Sequence, residues 1–225
     1  MRIELDFLAV LAQWPLLATG VAWTLGLTAI SALLGVAVGV ACGWARSHGP
    51  LWLRWVVGSY VELIRNTPFI VQLFFVFFGL PAAGVKLTPE IASVIAMVVN
   101  LGAYAAEIVR AGIEATPKGQ VEAAASLALN KAQTFLHVVL PPALRKVWPA
   151  LTSQIIIVML VSAVCGQIAT EELSYAANLI QSRNFRAFEA FIVATGLYLL
   201  LAMGVRAFLN WLGPRFIFGQ GGARG

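Results

Sequence analysis

Apolar residues run along this chain in long blocks, not at the alternating spacing of a strand or the one-sided spacing of a soluble amphipathic helix. Charge-free or nearly charge-free runs lie at about 16–45, 55–80, 90–109, 147–168 and 188–209. Each is near or above the roughly 20 residues that a helix needs to cross a hydrocarbon core. Lipid offers no partners for backbone amides, so segments of this kind must satisfy their own hydrogen bonds as helices. The pattern predicts an all-α membrane protein with five transmembrane helices. Between the third and fourth runs the character changes. From Ala115 to Pro141 small and polar residues replace the apolar block, with Glu122-Ala123-Ala124-Ala125-Ser126-Leu127-Ala128 at the centre and Val138-Val139-Leu140-Pro141 at the end. A simple anchor has no use for such a helical insert; a membrane protein that docks something soluble does.

Local signals punctuate these blocks. Trp14-Pro15, with Glu4 and Asp6 upstream, suits an interfacial lead-in helix. Gly35, Gly39 and Gly43 form a small-residue ladder on one face of the first span, the device by which helices approach closely in lipid; packing within the chain is the preferred reading. Asn66-Thr67-Pro68 falls inside the second run, where proline removes a helical hydrogen bond and predicts a kink or break. In the insert, Thr116-Pro117 reads as a helix start, with a capping hydroxyl and a proline at the first helical position. Asn130 with Gln133 three residues on reads as a capping box that opens a second short helix, which Pro141-Pro142 should stop. After the fourth span, Thr170 is placed to cap a helix with Glu171 and Glu172 in its first turn. Leu173, Ala176, Ala177 and Ile180 then share one face, as in a short amphipathic helix at the outer interface.

Composition sharpens the picture. Of 225 residues, 60% are hydrophobic and 11% charged, with a mean hydropathy of +0.86; so few charges cannot cover a soluble domain of this size. The formal charge of +5 does not point to nucleic acid, because the basic residues sit at the ends of apolar runs. Arg46, Arg54, Arg110, Lys118, Lys131, Arg145, Lys146, Arg215 and Arg224 fall on one side, and the poorer set Arg2, Lys86, Arg183 and Arg186 on the other. The positive-inside rule then places the N-terminus outside and the C-terminus in the cytoplasm. Without a basic region before its first apolar run, the N-terminus does not resemble a cleaved signal peptide. Cys42 and Cys165 read as small core residues, and His48 and His137 as loop or interface residues, none at metal-ligand spacing. No phosphate-binding G-x-x-x-x-G-K-[S/T] loop is present, so ATP chemistry is not expected on this chain.

Three stretches carry a resemblance. Gln120 to Pro141 is similar to the cytoplasmic EAA loop of ATP-binding-cassette importer permeases. Glu62-Leu63-Ile64-Arg65-Asn66-Thr67-Pro68-Phe69-Ile70-Val71-Gln72-Leu73-Phe74 resembles the second span of the polar amino acid permeases of the histidine/glutamine type, and Tyr104 to Gln120 resembles that family's run into the loop. The resemblance implies the type I importer permease fold: a single transmembrane domain over 1–225 with a coupling loop at 115–141. It implies a bacterial inner-membrane protein that pairs with a second permease chain, identical or paralogous, and with two ATPase subunits that carry ATP and Mg. It also implies a periplasmic binding protein that delivers a polar amino acid or related derivative. No catalytic, metal or cofactor site is implied on this chain.

In that frame Glu122, Ala123, Ala124 and Ala128 are the candidate ATPase-docking residues. Ala128 stands where the family usually has glycine, and alanine there calls for an elbow without positive φ. Polar side chains within spans are functional candidates. Gln72, Asn100, Tyr104, Gln154 and Ser162 form the candidate substrate pocket, with interhelical hydrogen bonding as their alternative role. The fourth span lacks the family's acidic residue and lysine-aspartate pair, reading Gln154 and Leu160-Val161 instead. That argues against clamping a cationic side chain here, and fits a neutral or acidic substrate or a heterodimer whose other permease holds the ligand. Glu62 with Arg65, and Glu107 with Arg110, are three residues apart and read first as structural ion pairs and second as gating elements. Two other classes compete: a secondary transporter or channel, which would not need a docking insert, and a membrane scaffold, which would not need polar spans.

Overall fold

The computed structural model describes residues 5–217 of the chain; Arg2, Glu4 and Arg224 lie outside them. Its elements, in order, are α1 (Phe7–Leu11), α2 (Trp14–His48), α3 (Leu51–Arg65) and α4 (Phe69–Phe74), which runs through a π turn (Phe75–Gly79) into α5 (Leu80–Ala82). Then come α6 (Pro89–Glu114), α7 (Lys118–Ser126) and α8 (Lys131–Gln133), followed by a π turn (Thr134–Val139) and α9 (Leu140–Val161). A 3-10 segment (Ser162–Ile168), α10 (Leu173–Asn184), α11 (Ala187–Leu212) and a π turn (Gly213–Ile217) complete the chain. No strand occurs among the described residues. Among the described residues four helices are long and apolar enough to cross a membrane, and α3 with α4–α5, interrupted at Asn66-Thr67-Pro68, makes a fifth if that pair is one span. The all-α reading with four to five spans and the break at Pro68 therefore hold.

Two compact units emerge, each assembled from three stretches of chain. One takes 5–33, 67–98 and 156–204 of the described residues. Its apolar core gathers Val10, Leu17, Leu173, Ile180 and Ala190. Leu173, Ala176, Ala177 and Ile180 are all buried, as their shared face requires. Gly20 admits this packing: a Cβ there would lie 2.8 Å from the Leu173 Cα.

The capping of α10 differs from the sequence reading. Glu172 is itself the N-cap, its carboxylate accepting from the backbone N–H of Ser174 (2.8 Å) and Tyr175 (2.7 Å). Thr170 instead shares a hydrogen bond with Ser93 across 2.8 Å. A carboxylate meets two orphan amides where one hydroxyl would meet one, which explains the exchange. Tyr198 of α11 donates to the same carboxylate, and a Cβ on Gly166 would sit 2.7 Å from it. Burial holds the Glu172 carboxyl above the ordinary carboxylate range, against the lowering effect of those three donors. A folded-state value above the unfolded one makes its contribution complete at acid pH and lost as pH rises through the folded-state value. Glu172→Gln should therefore flatten the decline in thermal stability that sets in as pH rises above the ordinary carboxylate value of 4.5; an unfolding midpoint with the same pH slope in both proteins would refute it.

The other unit takes 34–66, 99–155 and 205–217 of the described residues. The glycine ladder packs inside it: a Cβ on Gly35 would meet Leu101 at 2.9 Å and one on Gly43 would meet Val109 at 3.0 Å, while one on Gly39 would overlap Ala105. Ala105, Val109, Ile113, Val139, Ala143 and Leu151 form the adjoining core. Trp148 donates its indole N–H to the Leu209 carbonyl at 3.1 Å and covers Gly213.

Candidate functional site

The docking insert is an elbow of two helical pieces. α7 begins at Lys118 with Pro117 in the N-cap position and no side-chain cap, so Thr116 does not play the capping part expected of it. Proline's fixed φ and missing N–H suit that boundary by themselves. At the far end the Leu129 N–H bonds to the Ala124 carbonyl (3.2 Å) and the Ala128 N–H to the Ala125 carbonyl (3.0 Å). That is a Schellman closure, and it puts Ala128 at φ +55°. The expectation that alanine would keep this elbow out of positive φ is overturned: the two closing hydrogen bonds outweigh a Cβ penalty of about 1 kcal/mol.

The second piece opens on the predicted capping box. The Asn130 side chain accepts from the Gln133 N–H and Gln133 from the Asn130 N–H, both at 2.9 Å. It does not stop at Pro141-Pro142 as expected. α8 passes through the π turn into α9, so the second piece of the elbow and the fourth span are one continuous rod. The wider π turn, with its i→i+5 bonding, absorbs prolines that a regular α-helical turn would reject. Phe135 on this turn packs edge-on against Trp44 at the end of α2, 6.3 Å between centroids.

Glu122 and Ala123 are exposed on α7, as is Ala128 at the bend. Ala124 is 3% exposed and faces the protein, so it seats the helix and is not part of an outward surface. Beneath the elbow lies a cavity of about 460 Å³ lined by Arg46, Ser47, His48, Arg54, Lys118 and Glu122 among others. Arg54 braces the α2–α3 corner there, donating to the Gly49 carbonyl at 2.9 Å and to that of Ser47 at 3.3 Å.

Above the elbow, Glu107 gathers charges that sequence spacing only half disclosed. Arg110 pairs with it at 2.9 Å, as the i,i+3 spacing predicts. Arg46 from α2 also binds it, and Arg65 from α3 stands at 3.9 Å. The predicted Glu62–Arg65 pair does not form: the Asn66 amide donates to the Glu62 carboxylate at 3.1 Å, and Arg65 turns to Glu107. Arg46 and Arg65 as partners of Glu107 escaped the sequence reading, because contacts between helices leave no i,i+3 or i,i+4 signature.

The candidate pocket residues divide between the two units. Asn100, Tyr104 and Gln154 belong to the second, where Asn100 and Tyr104 stand one turn apart on α6 and Gln154 is half-buried on α9. The Arg65 guanidinium lies over the Tyr104 ring, 5.5 Å from its centroid. Gln72 and Ser162 belong to the first. Gln72 donates to the Thr67 carbonyl and hydroxyl, each at 3.0 Å, bracing the chain at the break. Ser162, fully buried, donates to the Met159 carbonyl at 2.6 Å where α9 tightens into the 3-10 segment. Its hydroxyl proton is thus engaged locally. Both cysteines are free thiols.

Comparison with known proteins gives a consistent set. Residues 31–218 match the family described as binding-protein-dependent transport system inner membrane component. The L-cystine transport system permease protein of Bacillus subtilis is 39% identical over 76% of this chain and 73% of its own length. The glutamine transport system permease protein of Escherichia coli strain K12 is 33% identical over 95% of this chain and 98% of its own. A crystal structure of an amino acid ABC transporter with histidines superposes with a TM-score of 0.83 at 33% identity, covering 95% of this chain and all of that one. An inward-facing methionine ABC transporter, 23% identical, shares the fold with a TM-score of 0.69 over 90% of this chain and 94% of its own. A helical membrane chain with a capped elbow after its third span, matched over nearly its full length by amino-acid permeases, belongs to the binding-protein-dependent transport system inner membrane components, the permeases of ABC importers.

Proposed function

We propose that this chain is the translocating subunit of an importer for polar amino acids or related derivatives, working by alternating access. Two ATPase subunits, holding ATP and Mg, would each grip one elbow of a permease dimer of identical or paralogous chains. A binding protein would deliver substrate on the outer face, with the N-terminus on that side and the C-terminus in the cytoplasm. The observation that carries this reading is the elbow: Glu122 and Ala123 are exposed on α7, whose Schellman closure leads into a second piece that is capped and continuous with the fourth span. Such a rod converts movement of a docked motor into movement of a span. Glu122, Ala123 and Ala128 would form the docking surface, with Ala124 seating it. Gln72, Asn100, Tyr104, Gln154 and Ser162 would face the transport path. Gln154 and Leu160-Val161, standing where acidic or charged residues are usual, favour a neutral or acidic cargo, or a heterodimer whose other permease holds the ligand.

The test is reconstitution of the chain with its ATPase and binding protein in liposomes, followed by uptake of labelled glutamine, cystine and arginine. Uptake of at least one should require ATP. Equal uptake without nucleotide or ATPase would defeat the reading.

A further inference from the structure

Glu107 stands at the centre of a charge cluster that joins three helix ends. Arg46 comes from the last turn of α2, Arg65 is the last residue of α3, and Arg110 lies one turn along α6. Arg110 continues to Glu114, the last residue of α6, with both carboxylate oxygens within 2.8 Å. Four residues beyond Glu114 the docking helix begins at Lys118. At the other end Arg65 is followed directly by Asn66-Thr67-Pro68, where the second span breaks, and its guanidinium lies over Tyr104. Charge contacts thus run from Glu114, four residues before the elbow, through Arg110 and Glu107 to Arg65, which adjoins the break and lies over a candidate substrate residue.

The contacts are unequal. Arg110 grips Glu107 and Glu114 with short, charge-assisted bonds, which hold their geometry. Arg65, at 3.9 Å, sits at the limit of an ion pair, so a displacement of about an ångström in α6 makes or releases it. Glu62 does not compete for Arg65, being held by Asn66. The cavity lined by Arg46, Glu114, Lys118 and Glu122 leaves the elbow room to move against α2.

We propose that Glu107 and Arg65 are positioning residues for transport: the Glu107–Arg65 contact passes displacement of the docking elbow to the Asn66–Pro68 break and to Tyr104. The proposal rests on the importer reading above.

The test uses the complete importer in liposomes and reads amino acid moved per ATP hydrolysed, with ATPase association and thermal stability alongside. If wild-type uptake ignores ATP, the importer reading fails and this proposal with it. If the wild type couples, Arg65→Gln should keep ATP hydrolysis within about twofold while moving about tenfold fewer amino acids per ATP, a typical coupling effect. Arg65→Lys, which keeps the charge without the planar stack, should recover part of that loss. The double variant Arg65→Gln/Glu107→Gln should couple no worse than Glu107→Gln alone, because both remove one linkage; Glu107→Asp replaces the glutamine variant if the latter fails to assemble. An unchanged ratio in Arg65→Gln, a ratio that falls only in step with the yield of complex, or additive losses in the double variant would each overturn the proposal.

Discussion

Reversing Glu122 to lysine is expected to cut ATP-driven uptake to below about a thirtieth of wild type while the chain still inserts and folds. Glu122 is exposed on α7. Among the described residues its hydrogen bond besides the helix ladder is through its backbone carbonyl, which accepts from the Ser126 hydroxyl at 3.1 Å. Little in the chain's own fold therefore depends on its carboxylate. A docked motor changes that: covering the elbow removes water from Glu122, and its charge then needs a basic partner. Breaking such an interfacial pair costs about 2–5 kcal/mol, and a factor of thirty corresponds to about 2 kcal/mol. Reversal adds repulsion, so Glu122→Gln should be milder than Glu122→Lys. The measurement is co-purification of the ATPase with each variant, beside uptake in liposomes. A lysine variant that retains stoichiometric ATPase and normal uptake would remove Glu122 from the docking surface.

The capping box at Asn130 and Gln133 was legible because both halves lie within one turn, and so was the glycine ladder, because its spacing places three small residues on one face. The proline break was legible for the same local reason. What the sequence concealed depends on choices between competing partners. Pro141 and Pro142 look like a stop until a π turn is available to absorb them. Thr170 looks like a cap until Ser93, distant in sequence, claims its hydroxyl and leaves the amides to Glu172. Ala128 looks incompatible with positive φ unless the Schellman hydrogen bonds are counted. Arg65 has an acceptor one turn back in Glu62, and only the packing of α3 beside α6 brings Glu107 within reach. The polar residues of the spans were individually visible, but several are engaged locally: Gln72 with Thr67 and Ser162 with Met159. Periodicity identifies such residues as polar within a span and says nothing of which neighbour takes their protons.

The second large effect is expected at Gly39, and it follows from helix contact alone. A Cβ built there overlaps the Cβ of Ala105, with Ala105 backbone 3.0 Å away and the Ala106 nitrogen at 3.1 Å. Those atoms belong to the middle of α6, where Ala103, Ala105 and Ala106 are all fully buried. Neither side has a flexible side-chain end to swing aside, so Gly39→Leu must push α2 away from α6. The separation would also strip contacts from Leu101 and Val109, which pack on Gly35 and Gly43 along the same seam. Overpacking in a tight core costs about 1–3 kcal/mol and more when backbone must move; here it should leave little folded protein in detergent. Gly26 and Gly58 provide the control, since a Cβ at either meets nothing within 4 Å. Alanine at those two helical positions should be neutral or stabilising by up to about 1 kcal/mol. Thermal unfolding of the purified chain separates the cases: the Gly39→Leu midpoint should fall well below wild type while Gly26→Ala and Gly58→Ala stay level or rise. A Gly39→Leu protein as stable as wild type would mean that α2 and α6 do not meet along this seam, and the ladder would then have to serve a surface outside the chain.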